Sequence, residues 1–284
     1  MQNLLAEQAI FFAVISLYSL AFLFYVAYLF VPRLLGRGKL AFYILLLGAL
    51  VHAFLIIFRF MEARYPPFQT LYESLSWFAF SVVVSFLFVE WRRDVHLPGF
   101  LATGIALAAC IYAIVGRSPE IKPLFPALQS GWFAWHVVLA FASYAIFVVA
   151  FSVEVVFLSL TLGSKNGRGA RYGLDEKKRY LFHRMAYNLI LFGYPLLTFG
   201  VVSGAAWAQE AWGRYWGWDP KETWSLITWS VYALYLHAKV TPRWARRRAS
   251  VLNIIGFVCM IFTFVGVNWL VRLLHIPSLH AYTF

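Results

Sequence analysis

Apolar residues run along this chain in long blocks, separated by short clusters of Lys, Arg, Pro and Gly. Eight blocks approach or exceed the ~20 residues that a helix needs to cross a bilayer. They cover about 8–31, 40–61, 75–91, 98–116, 132–162, 186–207, 221–240 and 250–273. The pattern predicts an all-α, polytopic membrane protein with about eight transmembrane helices. It also predicts a single integral membrane domain over 1–284, with no long soluble insert, internal repeat or low-complexity tract. Met1 to Glu7 holds no basic residue, so the first block is expected to be a retained helix rather than a secretory signal.

Charge orients these helices. Seventeen Lys and Arg fall in the loops after blocks one, three, five and seven, among them Arg33, Arg37, Arg92, Lys165, Arg168, Arg171 and Arg243. Six fall in the alternate loops and tail: Arg64, Arg117, Lys122, Arg214, Lys221 and Arg272. Basic loops stay on the cytoplasmic side, so both termini are expected outside. The loop at about 163–185 is the largest on the inside. The same asymmetry accounts for the net charge of +12. Nucleic acid is excluded as a partner, because no basic run is interleaved with exposed aromatics. With 62% hydrophobic and 13% charged residues, against roughly 25% charged in soluble domains, the solvent for most of the chain is the lipid bilayer. Cys110 and Cys259 sit in apolar runs and form no CxxC. That excludes a thioredoxin-like redox role and haem covalently held by this chain.

The external segment 207–229 holds Trp207, Trp212, Trp216, Trp218, Trp224 and Trp229, six of the twelve tryptophans. An interfacial belt explains one or two Trp per helix end. A planar aromatic platform for a flat apolar ligand explains the cluster equally well, and composition leaves the two readings open. Asp219-Pro220-Lys221-Glu222 reads as a helix start, with Asp at the N-cap, Pro next and Glu at the third position. Such a start presents free N–H groups and partial positive charge. With Arg214 and Lys221 nearby, it offers a site for an anion.

Of the seven histidines, His96 and His183 lie beside basic loops and are expected to be solvated. His52, His136, His237, His275 and His280 lie in or at the ends of spans, where ionisable residues are functional hypotheses by default. Neutral imidazole is also a common axial ligand of haem iron. His136, and His275 or His280, fall on the outer side and flank the Trp segment. His237 lies near the inner end of its helix. His52 lies deeper than the outer end of its own, and the two depths differ by roughly 10 Å at 1.5 Å per residue. They are therefore not expected to share one iron, and His52 reads as structural. Glu154 is expected to bond a neighbouring helix, Arg59 to snorkel outward, and Pro66 to Ser74 to form a turn feeding a capped helix.

The run Trp212-Gly-Arg-Tyr-Trp216-Gly-Trp218-Asp219-Pro220-Lys221-Glu222-Thr-Trp224 resembles the WWD signature of haem-handling proteins. Its Asp-Pro-Lys-Glu-Thr-Trp continuation is similar to the CcsA/ResC branch of the cytochrome c biogenesis proteins rather than to the CcmC branch. Leu71-Tyr-Glu-Ser74, Tyr235-Leu-His237, Gly266-Val-Asn268 and Leu279-His280-Ala-Tyr282 resemble further motifs of that branch, so the likeness covers about 40–284. It implies a component of a System II holocytochrome c synthase, working in the bacterial inner membrane or the thylakoid membrane. The implied ligand is haem b. The implied partners are a CcsB/ResB-like membrane subunit and an apocytochrome c bearing CxxCH. By the resemblance, His136 and His280 hold haem outside and His237 holds it in transit, with the companion subunit supplying the second in-membrane ligand. Trp212, Trp216, Trp218, Trp224 and Asp219 belong to the loop that would hold the ring; independently of the resemblance, Arg214, Lys221 and Arg272 are candidate partners for the propionates. His275 competes with His280, since both follow a Leu; distance from Asn268 fits His275 at least as well, while the following Ala-Tyr favours His280. Two rival classes stay in view: a b-type electron-transfer subunit with permanent bis-histidine haem, and a transporter of another amphipathic solute.

Overall fold

A computed structural model describes residues 2–31, 39–115, 120–162, 176–240, 246–275 and 278–280. Arg33, Arg37, Arg117, Lys165, Arg168, Arg171, Arg243 and Tyr282 lie outside the described residues. The helices are α1 (Gln2–Phe30), α2 (Lys39–Ala63), α3 (Leu71–Arg93), α4 (Gly99–Ile114), α5 (Gly131–Leu162), α6 (Glu176–Trp212), α7 (Pro220–Val240), α8 (Arg246–Ile261) and α9 (Val267–Leu273). A short 3₁₀ turn, Pro126–Leu128, precedes α5. No strand occurs among the described residues.

The chain is an all-α, multi-pass membrane protein. Six helical stretches are long and apolar enough to cross a bilayer: Leu4–Phe30, Lys39–Ala63, Leu71–Arg93, Gly131–Ser159, Tyr180–Trp212 and Arg248–Leu273. The other two expected spans are helices of a different kind. α4 has 16 residues, about 24 Å at 1.5 Å per residue, short of the ~30 Å hydrocarbon core. α7 has 21 residues but carries Lys221, Glu222 and His237 among its apolar ones.

The chain divides into two compact units. The first comprises 1–123 and 155–184, the second 124–154 and 185–284. In the first, α3 begins with a capping box. The Thr70 hydroxyl accepts the Glu73 N–H, and the Glu73 carboxylate accepts the Thr70 N–H at 3.0 Å. This is the capped start expected after the Pro66-Pro67 turn. Asp94 ends α3 in the left-handed region, at φ 51°.

Arg59 corrects the snorkelling expectation. It is 3% exposed, and its guanidinium lies between Glu7 at 2.7 Å and Glu73 at 2.8 Å. Two carboxylates inside the bundle outcompete the headgroup region for one cation. His96 and His183 are not solvated either. His96 is half-buried and meets Glu90 at 2.6 Å, a hydrogen bond that raises its imidazole above the ordinary value. His183 is buried within α6, stacked on Phe157 with centroids 4.8 Å apart. α6 starts well before the apolar block at 186, because Glu, Lys, Arg and Leu between 176 and 185 all favour helix.

In the second unit, α8 runs into α9 through a widened turn, Phe262–Gly266. There the N–H of Val267 reaches back five residues to the carbonyl of Phe262. Such a π turn inserts one extra residue into the helix. Its Thr263 hydroxyl bonds the carbonyls of Cys259 and Trp224 and meets the Thr228 hydroxyl at 3.0 Å, joining α8 to α7. Glu154 of α5 accepts from the Ser250 hydroxyl of α8, the interhelical bond expected of it.

Candidate functional site

The Trp-rich segment is less of a loop than its glycines suggest. Trp207 and Trp212 belong to the last turns of α6, and Trp224 and Trp229 to the first turns of α7. Only 213–219 is irregular. The helix-forming run Ala205-Ala-Trp-Ala-Gln-Glu-Ala-Trp212 carries α6 forward until Gly213. Gly213 stops it with φ 72° and returns its N–H to the Gln209 carbonyl. A glycine just past the last helical residue is the usual stop, since it adopts the left-handed region without steric cost. Trp218 takes up the same region at φ 57°, where a bulky side chain is disfavoured. Its neighbours hold it there, because the N–H groups of Gly217 and Asp219 both donate to Glu222 Oε2, at 2.7 and 3.1 Å.

Asp219 caps α7, accepting the Lys221 N–H on Oδ1 at 3.0 Å. It does more than cap. The same Oδ1 accepts the Nδ1–H of His280 at 2.9 Å, and Oδ2 accepts the Leu279 N–H at 2.8 Å. One carboxylate thus ties the helix start to the C-terminal segment. Burial alone would raise its pKa. The His280 bond and charge, with the two backbone N–H groups, outweigh burial and hold it at about 2.

His136, on α5, is fixed in the same way. Its Nδ1–H donates to the Gly200 carbonyl of α6 at 2.7 Å. That close approach needs Gly204, where a Cβ would lie 2.6 Å from His136 Nδ1. Gly200 likewise sits against the Ala140 backbone. Gly200-Val-Val-Ser-Gly204 is thus a GxxxG pair that lets α5 and α6 pack backbone to backbone. The two imidazoles share one centre, Trp207. It is stacked on His136 (5.9 Å, 19°), lies edge-on to His280 (5.7 Å, 69°) and edge-on to Trp212 (4.7 Å). Trp212 in turn meets His280 at 5.4 Å. The indole N–H of Trp207 donates to the Ala127 carbonyl at 2.6 Å.

A family model described as cytochrome C assembly protein matches residues 6–275. The chain belongs to this family. Its relatives include the cytochrome c biogenesis protein CcsA of Porphyra purpurea, 34% identical over 90% of this chain and 92% of the relative. CcsA of Mesostigma viride is 34% identical over 78% of this chain and 81% of its own. CcsA of Gloeothece citriformis is 33% identical over 85% and 86%. The role of the chain is cytochrome c assembly.

Trp216 and Trp218 pack edge to face on each other, at 5.9 Å, with Trp218 exposed. Trp224 packs on Phe262 of the π turn at 4.3 Å. Arg214 lies against Gly217, where a Cβ would be 2.7 Å from its Nε. Lys221 is half-buried in the first turn of α7. His275 is exposed, in the left-handed region at φ 50°, and Arg272 is exposed near the end of α9. His237 is exposed on α7, 18 residues beyond Asp219 and so about 27 Å along the helix. His52 belongs to the first unit. It is fully buried, and both ring nitrogens are engaged, by Tyr18 at 3.0 Å and Ser76 at 2.8 Å.

Sequence reasoning passed over Gly200, Gly204 and the central role of Trp207. The glycine pair was detectable as GxxxG in an apolar block. Trp207 carried no signal that separates it from the other tryptophans.

Proposed function

We propose that this chain brings haem b from the inner side of the membrane to the outer side and presents it there to apocytochrome c. The observation that carries the reading is the shared state of His136 and His280. Each commits Nδ1–H to a fixed acceptor, which puts the lone pair on Nε2, the tautomer that ligates iron. A carboxylate or carbonyl behind a ligating imidazole is the usual support of a metal ligand. Trp207, buried, packs against both rings and holds them, while the half-buried Trp212 and Trp216 and the exposed Trp218 offer aromatic surface that suits a planar macrocycle. Arg214 and Lys221 flank the start of α7, where carboxylates are favoured.

In this reading the bound haem supplies two vinyl groups, to which the CxxCH thiols add, each forming a C–S bond while the thiol proton goes to carbon. The chain itself binds, orients and withholds. His136 and His280 would hold the iron, Asp219 keeps the His280 ring from rotating, and the tryptophans would exclude water from one side. Catalysis is positioning. His237 serves the inner stage with a second ligand from a CcsB/ResB-like subunit, in the bacterial inner membrane or the thylakoid membrane.

The test is a visible absorption spectrum of protein purified from haem-replete cells that also make the companion subunit. Wild type is expected to show a reduced b-type spectrum. His136→Ala and His280→Ala weaken or oxidise it, and added imidazole restores it. Loss with His275→Ala but not with His280→Ala would move the second ligand to His275. A wild-type protein that purifies without haem overturns the reading.

A further inference from the structure

In the second unit, at the end that carries the Trp-rich segment, an open groove of about 620 Å³ runs between the start of α5 and the end of α6. Gly131, Trp132 and Trp135 of α5 line it, with Gln209 and Glu210 of α6 and Tyr215 of the turn that follows. The three rings are each more than half exposed, and among the described residues none of them packs on another ring. An interfacial belt accounts for the tryptophans, since both lie in the first two turns of the Gly131–Ser159 span. It does not account for the carboxylate. Glu210 stands two residues before the end of the Tyr180–Trp212 span, at the depth of the headgroups. It accepts the Ser130 hydroxyl, and no cationic side chain pairs with it among the described residues.

A carboxylate bordered by three open aromatic faces is a cation site, because ring quadrupoles and carboxylate attract the same charge. The rings select an organic ammonium, whose methylene groups they also cover. The same carboxylate repels propionates, so the groove is not an extension of the anion-favouring start of α7. The head of α5 supplies the complement. Ser130, which donates to Glu210, accepts the Trp132 N–H at 3.2 Å and so joins the carboxylate to the helix start. That start carries partial positive charge. The space beside Gly131 is open, since a Cβ there would meet nothing within 4 Å. The Gln209 amide adds two donors. Surfaces that attract a cation and an anion thus stand side by side at one end of two spanning helices.

We propose that this groove binds the zwitterionic headgroup of an amine-bearing phospholipid, its ammonium against Glu210 and the faces of Trp132, Trp135 and Tyr215, its phosphate toward the head of α5 and the Gln209 amide. A lipid fits better than a basic polypeptide, because the groove opens at headgroup depth, where such groups are concentrated. Trp135 adjoins His136, and Glu210 follows Trp207 by less than one turn. An occupied groove therefore stiffens the ends of the two helices that hold those residues. Lipid binding requires no haem, so the proposal stands or falls separately from the haem reading.

Native mass spectrometry of the full chain in detergent tests it, by titration with phosphatidylethanolamine and phosphatidylglycerol of identical acyl chains. The wild type is expected to prefer phosphatidylethanolamine by about tenfold. Glu210→Gln keeps a hydrogen-bonding side chain but loses the charge, and the preference falls to about twofold. Trp135→Leu weakens phosphatidylethanolamine binding by about 2–5-fold, whereas Trp269→Leu, an exposed position outside the groove, leaves both lipids bound as in the wild type. Equal affinity of the wild type for the two lipids, or a preference that survives Glu210→Gln, would overturn the proposal. An oligolysine peptide that displaces the lipid in a Glu210-dependent way would also overturn it and assign the groove to a polypeptide.

Discussion

His52 and His280 are set in contrasting surroundings. In the first unit His52 is fully buried, and each ring nitrogen meets a neutral hydroxyl. In the second, His280 is half-buried, with Nδ1 bonded to a carboxylate that also caps a helix. Burial and the chemistry of the partner separate them, not the residue type. A histidine satisfied on both sides by hydroxyls cements helices, whereas one braced on Nδ1 by an anion or carbonyl has its other nitrogen tuned as a donor to metal. The same division runs through the units. The first spends its buried charges on linking α1, α2 and α3; the second assembles its polar groups around tryptophans.

Variants sharpen this contrast. The largest effect is expected from Arg59→Met, which leaves Glu7 and Glu73 buried without their cation. It should cost about 3–5 kcal/mol, read by denaturant unfolding in detergent, while the folded fraction keeps its haem spectrum. Gly204→Ala follows, since its Cβ would enter the space of His136 Nδ1. Overpacking of this kind costs about 1–3 kcal/mol, and here haem absorbance should be lost along with stability. Asp219→Asn preserves the cap but removes the charge behind His280. Haem retention is expected to weaken about 10–100-fold, measured by transfer to apomyoglobin. His52→Leu should cost about 1–3 kcal/mol through the stranded Tyr18 and Ser76 hydroxyls and leave haem retention unchanged. Equal loss of haem in His52→Leu and Asp219→Asn would erase the distinction.

The smallest effect is a pH dependence. Asp219 is held at about 2, below its ordinary 3.8. A lowered carboxyl stabilises the fold fully above its unfolded value, and that contribution disappears as pH falls through the folded one. The stability gap between wild type and Asp219→Asn should therefore be constant above about pH 4 and close between 3.8 and about 2. A gap that widens on acidification would assign the stabilising charge elsewhere.

Much of this architecture was legible in the chain because apolar block length and helix-start chemistry are local. The Asp219-Pro220 start of α7, the Thr70–Glu73 box and the Glu154 bond were all readable in this way. The distribution of basic loops was equally visible, although several of those loops lie outside the described residues. The Glu7–Arg59–Glu73 cluster was not, since its members are 52 and 14 positions apart and only packing brings them together. The proximity of His280 to Asp219, 61 residues away, was equally beyond periodicity. Where sequence reasoning erred, at Arg59, His96 and His183, it assumed that a charged or polar residue near a span end seeks water. Each found a partner inside instead.

The π turn at Phe262–Gly266 sets the phase of everything that follows it. At 3.6 residues per turn, one surplus residue rotates the downstream segment by about 100°. Deleting a single position between 262 and 266 would restore an ordinary helix and swing α9 round by that angle, turning the tail that carries His280 away from Asp219. The spacing between Trp224 and His280 is therefore an angular setting as much as a length, and descendants of this chain can lose or gain residues there only in compensating pairs.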